Sequence, residues 1–357
     1  MSPQQAGEAS QARPDVRILV TGAGRIGRMH ASMIARDVPG VTLAGITDVD
    51  SVAAQALADE LDVPAYPDLQ TALEAAAPDA LAVCTPTPAH LSAIEAAAQA
   101  GVAVFCEKPL STDLAEVDAA IAAVRAHGIA FMVGFNRRFD PGHAAVRQAA
   151  RSGELGRICS IRITSRDPAP PPLSYIASSG GIFVDMMIHD LDLAAALAPA
   201  PVTSVWATGS CMLDPRIAEA GDVDQAVTVL RHADGVTTTI DVSRQATYGY
   251  DQRVEVLGTA GMALSDNQPI NRASIWRSDA ISSAPLMPFF LERYRDAYLR
   301  EWVAFGDYVR NGGPSPVSAE EARIPIVLAI AARRSMLEGR EVRVDEVWSD
   351  PAAQGSE

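Results

Sequence analysis

Cysteine is scarce in this sequence, and no two cysteines stand at a metal-binding spacing. The four are Cys84, Cys106, Cys159 and Cys211, and no two of them form a CxxC pair. Three of them lie inside apolar, strand-like runs, which is typical of buried reduced thiols. We therefore expect neither a disulfide framework nor a metal site, since no other cluster of residues has the spacing of metal ligands.

Long hydrophobic runs are also missing. The longest clean apolar run, residues 324–332, is far shorter than the ~20 residues that a membrane-spanning helix needs. Residues 1–15 are polar and lack the apolar segment of a signal peptide, so they are predicted to form a loose tail. These two absences together predict a cytoplasmic protein.

Basic residues are outnumbered by acidic ones. The chain has 29 Lys and Arg against 44 Asp and Glu, for a formal net charge of −15. Nucleic acids and anionic membranes are bound largely through Lys and Arg, so neither is an expected partner, and a small-molecule ligand is favoured. An apolar content of 48% excludes a wholly disordered chain, and 357 residues at roughly 150 per domain predict two domains.

Alternating strand and helix patterns fill residues 16–135. The strand-like runs are continuously apolar, which is typical of strands buried on both faces of a parallel sheet. Repeated βα units predict an α/β domain with a doubly wound parallel sheet. The predicted strands are 16–21, 41–47, 80–84, 102–106 and 130–135, and the predicted helices are 26–36, 50–60, 68–76, 87–100 and 112–127.

The pattern changes after residue 135. Several strands follow one another across 202–265, and a hairpin turn is predicted at 233–235. Strands bracketed by long helices predict a C-terminal α+β domain over 136–345, with a large, predominantly antiparallel open sheet, and a tail over 346–357. The other predicted elements are a strand at 157–166 and helices at 138–152, 185–197, 291–310 and 319–338.

The first predicted strand runs directly into a glycine-rich turn with the pattern GxGxxG. Gly22, Gly24 and Gly27 permit a tight turn and let the backbone approach a pyrophosphate at the start of the next helix. Asp48 ends the second strand, at the spacing of the acid that binds the adenosine ribose. The alternative is that Asp48 only caps the helix that begins near Asp50. The strand–turn–helix context predicts a Rossmann-type dinucleotide site.

The charge of Asp48 favours one of the two nicotinamide cofactors. A carboxylate accepts hydrogen bonds from the ribose hydroxyls and repels a 2′-phosphate. Residues 49–51 supply no Arg or Lys to receive such a phosphate. The predicted cofactor is therefore NAD rather than NADP.

Basic residues occur at two places near the predicted crevice. Lys108 follows a buried strand, at the edge of an α/β sheet where ligands bind, although a solvated surface charge is the alternative. Arg137 and Arg138 lie where the two predicted domains meet. They either brace the domains through surface ion pairs or bind a hydroxyl-rich or anionic ligand.

Two aspartates and a histidine lie close together on the helix predicted over 185–197. Asp185, His189 and Asp192 are spaced i, i+4 and i+7, so one face of a continuous helix carries all three. Two carboxylates can orient an imidazole and hold its pKa near the working pH, as a general base requires. The alternative is that His189 is a buried core histidine with satisfied hydrogen bonds and no catalytic role.

These motifs together resemble the Gfo/Idh/MocA family of nicotinamide-dependent oxidoreductases. The resemblance extends over about residues 16–340, and stretches at 163–168, 180–190 and 246–253 are similar to members that act on inositol. Its motifs are GAGRIG (22–27), Asp48, CTPTPAH (84–90), FCEKPL (105–110), VGFNRRFD (133–140) and the spacing of Asp185 and His189.

The resemblance implies an NAD-binding domain over 16–135 and a substrate-binding and oligomerisation domain over 136–345. It implies oxidation of a ring secondary alcohol of a cyclic polyol, with myo-inositol giving 2-keto-myo-inositol. In that scheme His189 takes the hydroxyl proton, Lys108 stabilises the developing alkoxide, and Asp185 fixes their charges and geometry. A cis bond before Pro109 is also implied.

The matching positions imply the site residues. The implied catalytic residues are Lys108, Asp185 and His189. The implied cofactor-binding residues are Gly22, Gly24, Arg25, Ile26, Gly27, Asp48, Thr85, Pro86, His90, Glu107 and Lys108. The implied substrate-binding residues are Lys108, Arg137, Asp167, Asp185, His189, Asp192 and Tyr250.

The substrate and the function class keep alternatives. Ser165 and Asp167 stand where some relatives carry His and Asn, so scyllo-inositol or a pyranose such as L- or D-glucose is an alternative substrate. A non-catalytic NAD-dependent sensor on the same fold is the alternative function. The joint presence of the three implied catalytic residues argues against that sensor.

Two implied substrate contacts and the assembly also keep alternatives. Asp192 alternatively pairs with a neighbouring arginine, and Tyr250 alternatively packs in the core. The family habit implies a homotetramer joined through the open face of the second sheet. Strands at 227–230 and 236–242 are candidates for that face. A role in polyol or sugar catabolism is implied in the same way.

Overall fold

A parallel sheet forms the N-terminal part of the molecule. The computed structural model describes residues 14–176 and 179–348. The strands of this sheet are β1 (Val16–Thr21), β2 (Val41–Thr47), β3 (Ala65–Tyr66), β4 (Ala80–Val83), β5 (Ala103–Glu107) and β6 (Phe131–Gly134). Their order is β3-β2-β1-β4-β5-β6, and all neighbours run parallel, which confirms the predicted doubly wound sheet.

Helices cover both faces of this sheet. Successive residues of β4, β5 and β6 are all buried, although their side chains point to opposite faces. Asp50, Asp68 and Asp113 each accept a hydrogen bond from a backbone N–H of the first helical turn and so start α2, α3 and α5. The helices are α1 (Arg25–Arg36), α2 (Ser51–Leu61), α3 (Leu69–Ala76), α4 (His90–Gln99) and α5 (Leu114–His127).

The second sheet is mixed. The strands after β6 are β7 (Ile158–Arg166), β8 (Val202–Ser210), β9 (Gln225–His232), β10 (Thr237–Ser243), β11 (Asp251–Gly258), β12 (Met262–Ser265), β13 (Ser274–Trp276), β14 (Ile281–Ser283) and β15 (Val342–Arg343). Over the described residues the sheet order is β12-β11-β7-β10-β9-β8-β15. Its pairs are antiparallel except β7–β10, and the predicted hairpin joins β9 to β10. The predominantly antiparallel sheet is thus confirmed.

One face of the second sheet is packed and the other is open. Burial alternates along β7, β9 and β10. The later helices are α6 (Pro141–Ser152), α7 (Leu173–Ile176), α8 (Ile182–Asp185), α9 (Ile188–Leu197), α10 (Pro215–Glu219), α11 (Phe290–Arg293), α12 (Arg295–Asn311), α13 (Ala319–Glu338) and α14 (Val344–Trp348). Helices α6, α9 and α13 pack on the sheet. In the stretches that the structure describes, every helix is too short or too polar to cross a membrane.

The helix predicted over 185–197 is interrupted. Helix α8 ends at Asp185, and α9 begins only at Ile188. Met186 and Met187 between them are both buried, and the Met187 N–H donates to the carbonyl of Ile182 instead of continuing α8. Periodicity did not reveal the break because both short helices keep their apolar side chains inside.

The C-terminal helices depart from the predicted division of the chain. Helix α12 packs against the first part of the molecule, where Trp302 contacts His30 and Phe105 at ring-centroid distances of 5.4 and 4.4 Å. Helix α14 occupies the start of the tail predicted over 346–357, and its Val347 is buried. The rest of that tail, residues 349–357, and residues 1–13 of the N-terminal tail lie outside the described residues.

The cysteines follow the prediction in part. Cys84 and Cys106 are buried free thiols, whereas Cys159 is exposed and Cys211 is half-buried. Burial raises the pKa of the Cys84 and Cys106 thiols. The expectation of burial is wrong for Cys159 because its side chain lies on the open face of the second sheet, which the sequence pattern could not orient.

Candidate active site

The glycine turn between β1 and α1 packs closely against the neighbouring backbone and has no room for side chains at two of its glycines. Gly22 has a φ of +102°, and a Cβ added there would lie 2.5 Å from the carbonyl oxygen of Cys84. A Cβ on Gly27 would lie 1.8 Å from the Gly22 carbonyl oxygen. A Cβ on Gly24, which precedes α1, would meet open space as far as the described residues show. The turn therefore leaves the first N–H groups of α1 accessible to an anion.

Asp48 lies beside this turn, as predicted for a ribose ligand. Its Oδ2 accepts a hydrogen bond from the Ala23 N–H at 2.5 Å, and its Oδ1 accepts one from the Asp50 N–H at 2.8 Å. Helix α2 is capped by Asp50 itself, whose side chain accepts from the N–H groups of Val52 and Ala53. The alternative that Asp48 only caps the helix is therefore wrong.

The loop after β4 and the first residue of α4 carry three further residues implied for the cofactor. Pro86 precedes a short 3₁₀ turn. The hydroxyl oxygen of Thr85 is buried and has no hydrogen-bond partner within the described residues, so a bound ligand would satisfy it. His90 is buried, with its ring nitrogens 2.9 Å from the Pro109 carbonyl and 3.0 Å from the Thr85 carbonyl. His90 thus ties the loops of Thr85 and Pro109 together, and its implied cofactor contact stays a prediction.

Glu107 is turned into the protein interior. Its Oε1 lies 2.7 Å from His30 Nε2, and its Oε2 accepts the Lys108 N–H at 3.0 Å. Trp302 Nε1, which can only donate, lies 2.9 Å from His30 Nδ1, so the imidazole proton is on Nε2 and faces Glu107. Burial opposes ionisation, but His30 and Lys108 outweigh it and lower the pKa of Glu107. Glu107 thus anchors the backbone of Lys108, and its implied cofactor contact stays a prediction.

Lys108 is the only lysine among the 29 basic residues of the sequence. It follows β5, is half-buried, and places Nζ 3.4 Å from the backbone carbonyl oxygen of Asp185. The bond to Pro109 is cis, as the resemblance implied. Arginine supplies positive charge everywhere else in this chain, so this position is the one where a compact ammonium is used instead of a planar guanidinium.

Asp185, at the end of α8, faces Lys108 from the second part of the molecule. Its Oδ1 accepts a hydrogen bond from the Tyr175 hydroxyl at 2.8 Å. Its Oδ2 accepts one from Arg244 Nη1 at 3.1 Å, and Arg244 also donates to Asp222 at 2.8 Å. Sequence reasoning missed Tyr175, Arg244 and Asp222; the one signal for Arg244 was a charge at the end of an apolar strand.

His189 lies in the first turn of α9, edge-on to Phe135 at a ring-centroid distance of 6.1 Å. Burial, with the positive charges of Lys108 and Arg137, lowers the pKa of His189 well below its ordinary value. The imidazole is therefore neutral at neutral pH, which is the state of a proton acceptor. Its Nδ1 is buried and finds no hydrogen-bond partner in 14–176 and 179–348.

The two carboxylates predicted to flank His189 bind other groups. Asp185 is engaged as described above. Asp192 is fully buried, and both its oxygens accept hydrogen bonds from the Arg138 guanidinium at 2.7 to 3.1 Å. The predicted carboxylate support of His189 is wrong. The alternative pairing of Asp192 with a neighbouring arginine is observed, and its implied substrate contact stays a prediction. The i, i+4, i+7 argument needed one continuous helix, and the break after Asp185 removes that condition.

Arg137 is buried between the two parts of the molecule. Its Nη1 donates to Asp190 Oδ1 at 2.5 Å, and both Nη atoms donate to Ser165 Oγ at 3.2 to 3.3 Å. Ser165 Oγ in turn donates to Gln252 Oε1 at 3.0 Å. Bracing by Arg137 is thus observed, in a buried network instead of the surface ion pairs that the alternative described.

Asp167 and Tyr250 adjoin the same charges. Burial raises the pKa of Asp167 to about 6, against the opposing charge of Arg137, so this carboxyl titrates close to neutral pH. Tyr250 is 4% exposed and packs edge-on against Phe289 and Tyr294 at 5.8 and 6.1 Å. The packing alternative for Tyr250 is therefore observed, while Arg137 and Asp167 interact electrostatically with its hydroxyl.

Comparisons with known proteins give the same assignment for both parts of the chain. Residues 16–135 match an oxidoreductase family with an NAD-binding Rossmann fold, and residues 143–264 match the GFO/IDH/MocA C-terminal domain. The chain is 42% identical to myo-inositol 2-dehydrogenase of Thermotoga maritima, over 93% of this chain and 99% of that relative. It is 36% identical to the scyllo-inositol 2-dehydrogenase (NAD(+)) of Bacillus subtilis, over 92% and 96%.

A solved structure extends the comparison. The crystal structure of scyllo-inositol dehydrogenase from Lactobacillus casei, with bound NAD(H) and scyllo-inositol, superposes with a TM-score of 0.85. The sequence identity is 29%, and the superposition covers 92% of this chain and 99% of that one. The two-part fold described above is therefore shared with a relative that holds both a dinucleotide and a cyclic polyol.

Proposed function

Because this chain belongs to the Gfo/Idh/MocA family of NAD-dependent oxidoreductases, we propose that it oxidises one ring hydroxyl of a cyclic polyol to a ketone. The proposed substrate is myo-inositol, and the proposed product is 2-keto-myo-inositol. The observation that carries the proposal is the meeting of Lys108, Asp185 and a neutral His189 at the carboxyl edge of the first sheet.

The residues around the glycine turn fit NAD. The cradle of Gly22, Gly24 and Gly27 accommodates a pyrophosphate at the start of α1, and Asp48 adjoins it for the ribose hydroxyls. The buried hydroxyl oxygen of Thr85, orphaned within the described residues, is satisfied by a polar ligand atom. Bound NAD supplies the acceptor for a hydride.

The proton and the charge on the reacting oxygen are handled by side chains of this chain. Neutral His189 accepts the hydroxyl proton. The ammonium of Lys108 stabilises the negative charge that develops on the oxygen, while the hydride leaves from the carbon that bears it. The C–H and O–H bonds are thereby replaced by the second bond of a C=O group. Asp185 positions the ammonium through its backbone carbonyl oxygen, which lies 3.4 Å from Lys108 Nζ.

A hydroxyl-rich ring suits the remaining polar groups. A cyclic polyol presents donors and acceptors around its ring, and Asp167, Arg137 and Tyr250 offer carboxyl, guanidinium and phenol partners. The second candidate substrate is scyllo-inositol, because two of the relatives above carry its name. A pyranose such as L- or D-glucose is the third, since its equatorial hydroxyls resemble those of an inositol.

A substrate panel tests this proposal. The enzyme is mixed with NAD and, in turn, myo-inositol, scyllo-inositol, D-glucose, L-glucose and an acyclic polyol, and absorbance at the reduced-nicotinamide band is followed. We expect the highest kcat/KM with myo-inositol and negligible turnover with the acyclic polyol. A higher kcat/KM with another ring would replace myo-inositol as the proposed substrate and leave the proposed oxidation of a ring hydroxyl unchanged. Tight NAD binding without turnover of any ring would contradict the proposal and favour the sensor.

Replacing Asp48 with alanine is expected to weaken the preference for NAD over NADP. The change removes a charged acceptor for the ribose hydroxyls, worth roughly 1.5–3 kcal/mol, so KM for NAD should rise roughly 10- to 100-fold. It also removes the charge that repels a 2′-phosphate. Steady-state kinetics with both cofactors measure the ratio of kcat/KM for NAD to kcat/KM for NADP. Asp59→Asn, on the exposed side of α2, is the control because it removes the same charge. An unchanged ratio would remove Asp48 from the adenosine site.

The open face of the second sheet is the proposed interface of a homotetramer. Trp206, Leu257 and Leu264 are exposed there, and the register places Val229 opposite Trp206 on the same face. The strand predicted at 227–230 lies within β9 of this sheet, and the strand predicted at 236–242 overlaps β10 except at residue 236. A concentration of exposed apolar side chains on one face is typical of a contact between protein subunits.

Light scattering tests this assembly. Wild-type protein is expected to have the mass of a homotetramer, and Trp206→Glu with Val229→Glu is expected to lower that mass, because each change places a carboxylate in an apolar contact. Leu337→Glu is the control, since Leu337 is 71% exposed on α13, a helix that packs on the other face of the sheet. A monomeric wild type, or an unchanged mass in the double variant, would contradict the proposed interface.

A further inference from the structure

We propose that Arg244 is a positioning residue of the oxidation, which holds the carboxylate of Asp185 away from Lys108. The inference rests on the proposed function. Arg244 follows β10 directly, and its side chain is fully buried. A fully buried guanidinium is costly unless anionic partners compensate it, so its two carboxylate contacts define its position.

Arg244 connects both ends of helix α8 to the second sheet. Its Nη1 donates to Oδ2 of Asp185, at the end of the helix, at 3.1 Å. Its Nη2 donates to Oδ2 of Asp222 at 2.8 Å, and Oδ1 of Asp222 accepts the N–H of Ile182, the first residue of the helix, at 2.9 Å. The Arg244 N–H donates to the Asp224 carbonyl at 2.9 Å, which fixes the arginine itself. One side chain therefore sets the place of α8 and of its last residue.

Both carboxylate oxygens of Asp185 are engaged. Tyr175 donates to Oδ1 at 2.8 Å, and Arg244 donates to Oδ2. The contact of Asp185 with Lys108 Nζ is made by the backbone carbonyl, at 3.4 Å. A direct carboxylate–ammonium pair would compensate the charge of Lys108 before the reaction. Arg244 thus leaves the ammonium able to stabilise the developing alkoxide.

A double-mutant cycle separates positioning from a merely structural role. Arg244→Lys keeps the positive charge and loses the planar fork that spans the two carboxylates. We expect it to lower kcat about 10- to 100-fold, the loss of a charged hydrogen bond, with Kd for NAD unchanged. In an Asp185→Asn background the same change should lower kcat by less than about 3-fold, because residues that act as a unit are not additive.

Matched variants complete the experiment. Arg216→Lys, on an exposed arginine of helix α10 that pairs with Asp214, should keep wild-type kcat. Thermal unfolding reports whether Arg244→Lys folds. If it does not fold, Asp222→Asn replaces it, because this change removes the second carboxylate partner of Arg244. We expect Asp222→Asn to lower kcat in the wild-type background and to have little further effect in the Asp185→Asn background.

Two failures are distinguishable. If the wild type oxidises a cyclic polyol and the kcat losses are equal in both backgrounds, the positioning role is overturned and the proposed function stands. If the wild type oxidises none, the proposed function fails and the positioning role fails with it.

Discussion

Replacing Lys108 with methionine is expected to lower kcat by about 10²–10³-fold, as removal of a preorganised donor to a developing oxyanion does. Lys108→Arg is expected to fail as well, because a guanidinium keeps the charge but not the compact ammonium. Binding of NAD should persist, since the glycine turn and Asp48 are untouched. Steady-state kinetics with the best polyol and an NAD titration measure the two quantities separately.

The composition of the chain offers a second test of Lys108. Because it is the only lysine, an amine-directed acylating reagent has one side-chain target, and the amino terminus is the remaining amine. We expect acylation to abolish turnover, and NAD with polyol to slow both labelling and inactivation. Lys108→Met is the control for label on the amino terminus. Full activity after complete acylation of Lys108 would contradict its catalytic role.

Replacing His189 with asparagine is expected to lower kcat by about 10²–10⁴-fold at neutral pH, the contribution of a general base. Because burial and two neighbouring cations lower the pKa of His189, the wild-type base stays neutral through neutral pH and loses activity only in more acidic solution. In the variant, hydroxide is the remaining base, so its kcat should rise with pH where the wild type is level. Profiles of kcat against pH measure this difference.

His127 provides the control for this test. His127, on the exposed end of α5, contacts only the Ala123 carbonyl among the hydrogen bonds of the described chain, and His127→Asn should keep the wild-type profile. Near-normal turnover of His189→Asn at neutral pH would remove His189 from the proton transfer.

The sequence was sufficient to predict the class of both sheets because each carries a simple hydrophobic pattern, although the two-residue strands β3 and β15 were not predicted. Strands β1 and β2 have the predicted bounds, and so does helix α13, whose capping box of Ser318 and Glu321 marks its start. The break after Asp185 was not predictable in this way. Helix α8 is held from a distance, because Asp222 binds the N–H of Ile182 at its start from 40 residues away in the chain.

The location of the site residues could be predicted from the sequence, but their hydrogen-bond partners could not. The carboxyl ends of parallel strands meet at one edge, so the glycine turn, Asp48 and Lys108 were placed there correctly from sequence spacing. Side-chain partners depend on contacts between distant segments: Arg244 reaches Asp185 across 59 residues, and Arg138 reaches Asp192 across 54. His90, Glu107 and Asp192 carry polar groups in the right region, but those groups bind other parts of the protein.

Transfer of a label from substrate to cofactor tests the central claim most directly. Inositol with deuterium on the carbon that bears the reacting hydroxyl is incubated with the enzyme and NAD, and the NADH formed is analysed by mass spectrometry. The account predicts NADH heavier by one deuterium, slower turnover than with unlabelled inositol, and labelled NADH formed about 10²–10³-fold more slowly with Lys108→Met. Unlabelled NADH from the labelled ring, or no NADH from any cyclic polyol, would contradict it.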